Sequence, residues 1–451
     1  MQETKISAGH LERGMGFWGA TSANVLNMVG VGPFLTIPLA LAAMGGPQAM
    51  IGWLLGALIS LCDGMVWAEL GSRFPDSGGP YFFLLHAFGE HGPGRMFAFL
   101  FLWQSLLAGP ISIASGAVGF ASYATVFHPF THLQLGLVAL LICLVNVFLL
   151  FRSIHAIGAI SVVVTTVVLA TCLWIIFAGG THFHSALAFD FPTGAFHLTR
   201  GFWLGLGSAT LIASYDYGGY GTVCLVGGEV SHPRRNIPRA VIASIVLVAV
   251  LYLAMNLSII GVLPWRGELH SSAIVADLMS AVYGSWAAKA VSGLILIAAW
   301  GSAYTNLLGY SRIPYAAAVD GSFPAMFRRV RERDGVPVVS LLFMGLASAS
   351  LCFLSLDALI ASLILVQVLL QFVAQCVAVM VLRARHPTHE VSLFRMPLFP
   401  LPAVIAIAGW IYIAATSGSR YLWSAGLLSL CGVAFYLFLA NRKQEWPFRH
   451  A

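Results

Sequence analysis

Charge is what this sequence has least of. Asp, Glu, Lys and Arg make up 9% of its 451 residues, while 59% are hydrophobic. A soluble globular domain carries about 25% charged residues. With a mean hydropathy of +0.86, that scarcity excludes a large soluble core and indicates an integral membrane protein. Lysine is nearly absent: Lys5, Lys289 and Lys443 are the whole set. None stands in a GxxxxGK[ST] loop, which excludes a nucleotide-driven pump. There is no HExxH, and 205-GLGS-208 has the wrong order for a rhomboid-type GxSG. Tyr215-Asp216 has no GxGD companion with which to form an aspartate dyad. No catalytic residue, no cofactor and no enzyme activity are therefore expected. No CxxC pair occurs among Cys62, Cys143, Cys172, Cys224, Cys352, Cys376 and Cys431, and all seven lie in apolar runs. They read as small buried side chains rather than disulfides or metal ligands.

Long polar stretches are missing too. Residues 17–441 read as a single membrane domain, between a polar N-terminal segment 1–16 and a tail 442–451. No small-residue cleavage site follows the first segment, so the first apolar run is expected to remain as a span. About 20 apolar residues cross a bilayer as a helix. Twelve such runs are present: 17–40, 47–72, 94–125, 132–151, 155–178, 201–229, 239–263, 286–317, 337–355, 358–382, 399–417 and 421–441. None alternates as a barrel strand would. The expected fold class is an all-α polytopic membrane protein with 12 transmembrane helices. With the N-terminus inside, nineteen of the 23 basic residues fall in inner segments, leaving Arg200, Arg266, Lys289 and Arg420 outside. The positive-inside rule then puts both termini in the cytoplasm of a plasma (inner) membrane protein. It also accounts for the pI of 9.0 with the lipid bilayer as partner and no nucleic acid.

Two of the runs are interrupted. Run 1 contains 27-NMVGVGPFLTIP-38 and run 6 contains 214-SYDYGGYG-221; the runs open alike, on Gly16-Phe17-Trp18 and Gly201-Phe202-Trp203. Runs 1 and 6 are five apart, so they cross the membrane in opposite directions. Glycine and proline favour loss of the helical ladder. Freed backbone groups cannot face lipid and must line a cavity or a ligand. Matching breaks in two halves point to a transporter built from inverted repeats. N-terminal half-helix ends suit a carboxylate and freed carbonyls suit an ammonium, so a zwitterion uses both. A channel would need a continuous filter; paired breaks favour an occluding site.

Four stretches carry a family resemblance: Asn27-x-x-Gly30-Val31-Gly32, 68-AELGSRFPDSGGPYFFLLHAFG-89, 229-EVSHPRRNIPRA-240 and 308-LGYSRIPYAAAVDGSFPAMFRRV-330. In this order they resemble the amino acid–polyamine–organocation (APC) superfamily, amino acid permease group. The resemblance implies a leucine-transporter-type 5+5 inverted repeat with broken helices 1 and 6. The first repeat would be 17–178, the second 201–382, and 399–441 two peripheral helices. It implies a secondary active transporter that moves amino acids by alternating access, with a polyamine or other organic cation as the alternative substrate. The N–H groups of Gly30, Val31 and Gly32 would take a carboxylate. Carbonyls near Asn27 and Met28 and at Tyr215 would take the amine. Gly218 and Gly219 would form the unwound centre of helix 6, Tyr215 or Tyr220 an aromatic gate, and Asn306 a site-facing residue on helix 8. Two departures stand out. Gly221 occupies a place where many members carry an acid or Asn, and 161-SVVVTTVVLAT-171 lacks the mid-helix lysine that some members use in place of sodium.

The remaining polar residues each carry two readings. Asp216 either binds an amine-bearing substrate or a proton, or caps freed N–H groups at the break; both put it at the site. Asp63 serves coupling or gating, or bonds a neighbouring helix end. Glu69 and Arg73 are i, i+4 and are expected to pair. Glu229 is expected to pair with an inner-loop arginine rather than reach substrate. Trp103 and Gln104 line the pathway or fill the core. His182 and His184 lack a cysteine or carboxylate set for a metal.

Overall fold

A chain in lipid must satisfy its own backbone hydrogen bonds, and this one does so with helices. The computed structural model describes residues 11–271, 273–331, 333–355, 367–385 and 394–448. The first half holds α1 (Phe17–Met28), α2 (Gly32–Leu35), α3 (Ile37–Met44), α4 (Met50–Arg73), α5 (Pro80–Phe88), α6 (Pro93–Ala124), α7 (His132–Leu149), α8 (Ile154–Thr181) and α9 (Ser185–Ala188). Then come α10 (Arg200–Tyr217), α11 (Thr222–Leu225), α12 (Pro233–Ile260), α13 (Trp265–Glu268), α14 (Ile274–Tyr283), α15 (Ser285–Tyr310) and α16 (Arg312–Val319). The last are α17 (Val338–Leu351), α18 (Ala374–Arg385), α19 (Leu401–Thr416) and α20 (Ser419–Lys443). Extended pairing among the described residues consists of three isolated bridges.

Among the described residues, seven helices are long and apolar enough to cross a membrane; the pair Phe17–Leu35 and Ile37–Met44, bent by 59°, makes an eighth. The difference from twelve runs has local causes. Run 6 divides into α10 and α11. Runs 9 and 11 form the shorter apolar helices α17 and α19. Residues 358–366 of run 10 lie outside the described residues; the rest is a π-helical turn, Val368–Val373, leading into α18. The connections also hold structure that the apolar runs do not mark, α5 and α14, while run 8 divides into α15 and α16.

The breaks lie deep in the bundle because α1 packs against α8, α12 and α15 at once. Close approach of the surrounding helices depends on small residues. A Cβ at Gly52 or Gly56 of α4 would stand 2.7 or 2.9 Å from the Cβ of Ala209 or Ala213 on α10. Helix α19 departs from the peripheral place expected for 399–417. It packs on α4 and α10, Gly409 is pressed onto Ile59, and Trp410 stacks on Phe372 with ring centroids 4.0 Å apart.

One end of the bundle is stitched together. Met15 bridges to Val230 and Ser77 to Val226. The N–H groups of Gly14 and Met15 donate to the Glu229 carbonyl, both at 3.0 Å, and Gly78 N–H donates to Leu225 O at 2.7 Å. At this end Arg312 grips the Glu229 carboxylate at 2.7 and 3.0 Å, both side chains buried. Glu69 corrects its expected pairing. Arg383 of α18 holds it at 2.7 and 2.5 Å, and the Met396 N–H adds a bond at 2.8 Å. Arg73 instead lies over the Phe74 ring. A bidentate fork from a packed neighbouring helix outweighs an i, i+4 pair on the helix surface.

Candidate functional site

In run 1 the ladder stops where the glycines stand. Val29 N–H reaches Val25 O at 2.7 Å, and regular bonding resumes with Phe34 N–H to Val31 O at 3.1 Å. Between them, the N–H groups of Gly30, Val31 and Gly32 make no backbone hydrogen bond among the described residues. Pro33 has no N–H to offer. In run 6, Gly218 N–H closes α10 on Tyr215 O at 3.1 Å, and Thr222 N–H opens α11 on Gly219 O at 3.0 Å. Gly219 sits at φ +120°, and a Cβ there would stand 2.8 Å from the Cβ of Asn27. Only glycine allows both that backbone and that approach. The two breaks therefore lie back to back.

Neutral hydrogen bonds hold them. Asn27 Nδ2 donates to Thr222 Oγ1 at 2.5 Å, and Val223 N–H donates to Asn24 Oδ1 at 2.9 Å. The Tyr252 hydroxyl of α12 donates to Met28 O at 2.6 Å and lies 3.4 Å from Asp216 O, so one group ties the ends of α1 and α10. Ser302 donates to Asn27 O at 3.3 Å. The carbonyls expected to meet an amine thus already accept bonds: Asn27 from Ser302, Met28 from Tyr252 and Tyr215 from Gly218.

A cavity opens between the breaks. Its wall includes Asn27, Met28, Gly30, Val31, Gly32, Tyr215, Asp216, Gly218, Gly219, Tyr220 and Asn306, all eleven residues marked from the sequence. It offers about 100 Å³ to water-sized molecules, about three waters at roughly 30 Å³ each, the scale of a small organic solute. Asp216 is the charged group in this wall. Its Oδ2 accepts from the Thr36 hydroxyl. Its Oδ1 has no hydrogen-bond partner among the described residues and presses on the Cα side of Gly32, where a Cβ would be 1.9 Å away. The carboxylate therefore bonds a hydroxyl and not the freed N–H groups, which departs from the capping reading.

The other marked residues spread out. Tyr215 reaches Ser115 Oγ at 3.3 Å across the cavity. Asn306 accepts from Ser112 at 2.8 Å and donates to Ser302 O at 3.1 Å. Tyr220 points away to Asp63 Oδ2 at 2.5 Å, edge-on to Trp67. Asp63 and Glu229 stand outside the wall, and Glu229 belongs to the Arg312 clamp. Trp103 stands off the cavity: its indole donates to Leu428 O at 3.1 Å, and it packs on Phe99 and Phe435 beside α20. Gln104 is buried with no partner for its amide among the described residues and does not line the cavity. Sequence reading passed over Thr36, Trp67, Ser112, Ser115, Tyr252, Ser302, Gln367 and Trp410. Small hydroxyls in apolar helices were the available signal for four of them. Nothing local marks Tyr252 or Trp410, whose positions depend on packing.

An apolar helical bundle with two helices broken around a shared polar cavity has the form of a membrane transport protein. A family model described as amino acid permease matches residues 15–441, and the chain belongs to that family, within the APC superfamily. It is similar to the serine/threonine exchanger SteT of Bacillus subtilis (strain 168), at 24% identity over 96% of this chain and 98% of the relative. It is similar to the human solute carrier family 7 member 13, at 26% identity over 96% and 93%. It is also similar to the vacuolar cationic amino acid transporter 4 of Arabidopsis thaliana, at 26% identity over 79% of this chain and 60% of that protein. Family and relatives are transporters rather than enzymes.

Proposed function

We propose that the protein is a secondary transporter that carries an amino acid by alternating access, with the substrate held between the two breaks. The supporting observation is that one cavity is lined both by Gly30, Val31 and Gly32, whose N–H groups make no backbone hydrogen bond among the described residues, and by Asp216, whose Oδ1 has no partner among them. Donors and an anion facing one small cavity suit the two ends of a zwitterion. The N–H groups take the carboxylate. Asp216 takes the ammonium, since the nearby carbonyls already accept bonds. Of the two candidate gates, Tyr215, whose hydroxyl reaches Ser115 across the cavity, covers the site, and Asn306 faces it. Twelve spans, with 17–178 and 201–382 as inverted repeats and both termini cytoplasmic, give the frame for alternating access. The relatives' names include hydroxyl-bearing and cationic amino acids, and these are the first substrates to try.

A polyamine is the second reading, because Asp216 would hold an ammonium equally well. It has no carboxylate for the three N–H groups. Thermal stability of the purified protein, measured against a panel of L-amino acids and polyamines, separates the two. Stabilisation by an L-amino acid, followed by its counterflow in liposomes, is the expected result. Stabilisation by polyamines with no effect of any amino acid would overturn the assignment.

A further inference from the structure

Asp63 lies on α4, one hydrogen bond outside the cavity. It is fully buried. Tyr220, part of the cavity wall, donates its hydroxyl to Oδ2 at 2.5 Å. The Cys376 thiol of α18 approaches Oδ1 at 3.6 Å. Trp67 stands one turn along α4 and Trp410 on α19, which packs on α4; both indole nitrogens are buried with no hydrogen-bond partner among the described residues, and Cys62 is the chain neighbour. Hydroxyl, thiol and indole are all neutral donors. No ion pair among the described residues includes Asp63. An ionised carboxylate buried without a cation is costly. In a membrane interior such a group marks an ion or proton path. Glu69, on the same helix, has the arginine that Asp63 lacks.

We propose that Asp63 is a proton-binding site, linked to the substrate cavity through Tyr220. This rests on the transport reading above for its link to substrate. Two O–H bonds break and two form in the loading step. A hydronium in the cavity gives its proton to the Tyr220 oxygen, and the Tyr220 hydroxyl proton passes to Asp63 Oδ2. The hydronium becomes water, Tyr220 stays neutral, and the carboxylate becomes a carboxylic acid. With the proton on Oδ2 the bond reverses: Asp63 O–H donates to the Tyr220 oxygen, a bond between neutral groups and so weaker than the one to a carboxylate, and the Tyr220 hydroxyl proton points to the cavity. Protonation at Asp63 and substrate contact at Tyr220 then bias one another, and the linkage is reciprocal.

Two measurements on the full chain in liposomes test this. The first is infrared titration without substrate, on the wild type, Asp63→Asn and Asp216→Asn. A protonated-carboxyl band is expected to appear on acidification. It should vanish in Asp63→Asn and persist in Asp216→Asn. If no titrating band depends on Asp63, the proposal is overturned, whatever the protein transports. The second uses labelled L-serine and L-arginine. Asp63→Asn keeps an oxygen acceptor for Tyr220, so a purely structural latch survives in it while a proton site does not. The variant is expected to exchange the labelled amino acid at equal pH and to lose proton-gradient accumulation by about tenfold. Accumulation equal to the wild type overturns the proposal. Failure of the wild type to move any amino acid would instead sink the transport reading, and the infrared titration would still decide the proton site.

Discussion

Glu229 and Asp216 flank the same break, and each is only 2% exposed. Their surroundings differ completely. Glu229 is gripped by two nitrogens of Arg312, whereas Asp216 has the Thr36 hydroxyl on one oxygen and, among the described residues, no partner on the other. The contrast repeats on α4, where Glu69 has Arg383 and Asp63 has neutral donors. Equal burial thus serves two ends. A carboxylate clamped by an arginine fork fixes helices, because releasing it would strand a buried charge. A carboxylate given only neutral donors is free to take a charge that arrives and leaves.

Removing an arginine tests this contrast with the largest effect. Arg312→Met strands the Glu229 carboxylate, and thermal unfolding in detergent should show a loss of about 3–5 kcal/mol; wild-type stability would break the distinction. Asp216→Asn comes next, and its effect falls on binding. The amide keeps an acceptor for Thr36, so stability should move by less than about 1 kcal/mol, while amino acid affinity falls by about 1.5–3 kcal/mol, on the order of 10- to 100-fold in Kd. Unchanged transport across about pH 5–8 would remove Asp216 from both substrate and proton roles. Tyr252→Phe takes away the hydroxyl that ties both breaks, and about 1–1.5 kcal/mol of stability should go with it; no loss would mean the breaks hold without it. Arg266→Ala breaks the Asp190 pair, which is exposed on both sides. It should cost less than about 1 kcal/mol, with little left at high salt, and a larger loss would show that burial is not what ranks these pairs.

Much of the site was legible because its causes are local. Gly30, Gly32, Pro33, Gly218 and Gly219 interrupt helices by their own backbone properties, wherever the chain is folded. The cavity wall accordingly contains each residue marked around them. Asp216 was legible as a charge in the wrong place, but not which groups would meet it. Glu69 shows where local rules stop. The i, i+4 rule named Arg73, and the partner is Arg383, 314 residues away. Trp410 shows the same limit, since a run read as peripheral supplies part of the cavity wall.

Apolar run length and glycine placement determined by themselves that the chain is a helical membrane protein whose first and sixth apolar runs are interrupted, since both act through neighbouring backbone groups. Only the tertiary structure decided that the two breaks meet at Asn27 and Gly219 around one cavity, and which buried acids receive an arginine. Those outcomes depend on helices brought together across long connections, and the energy of a buried charge is set by what packing places beside it.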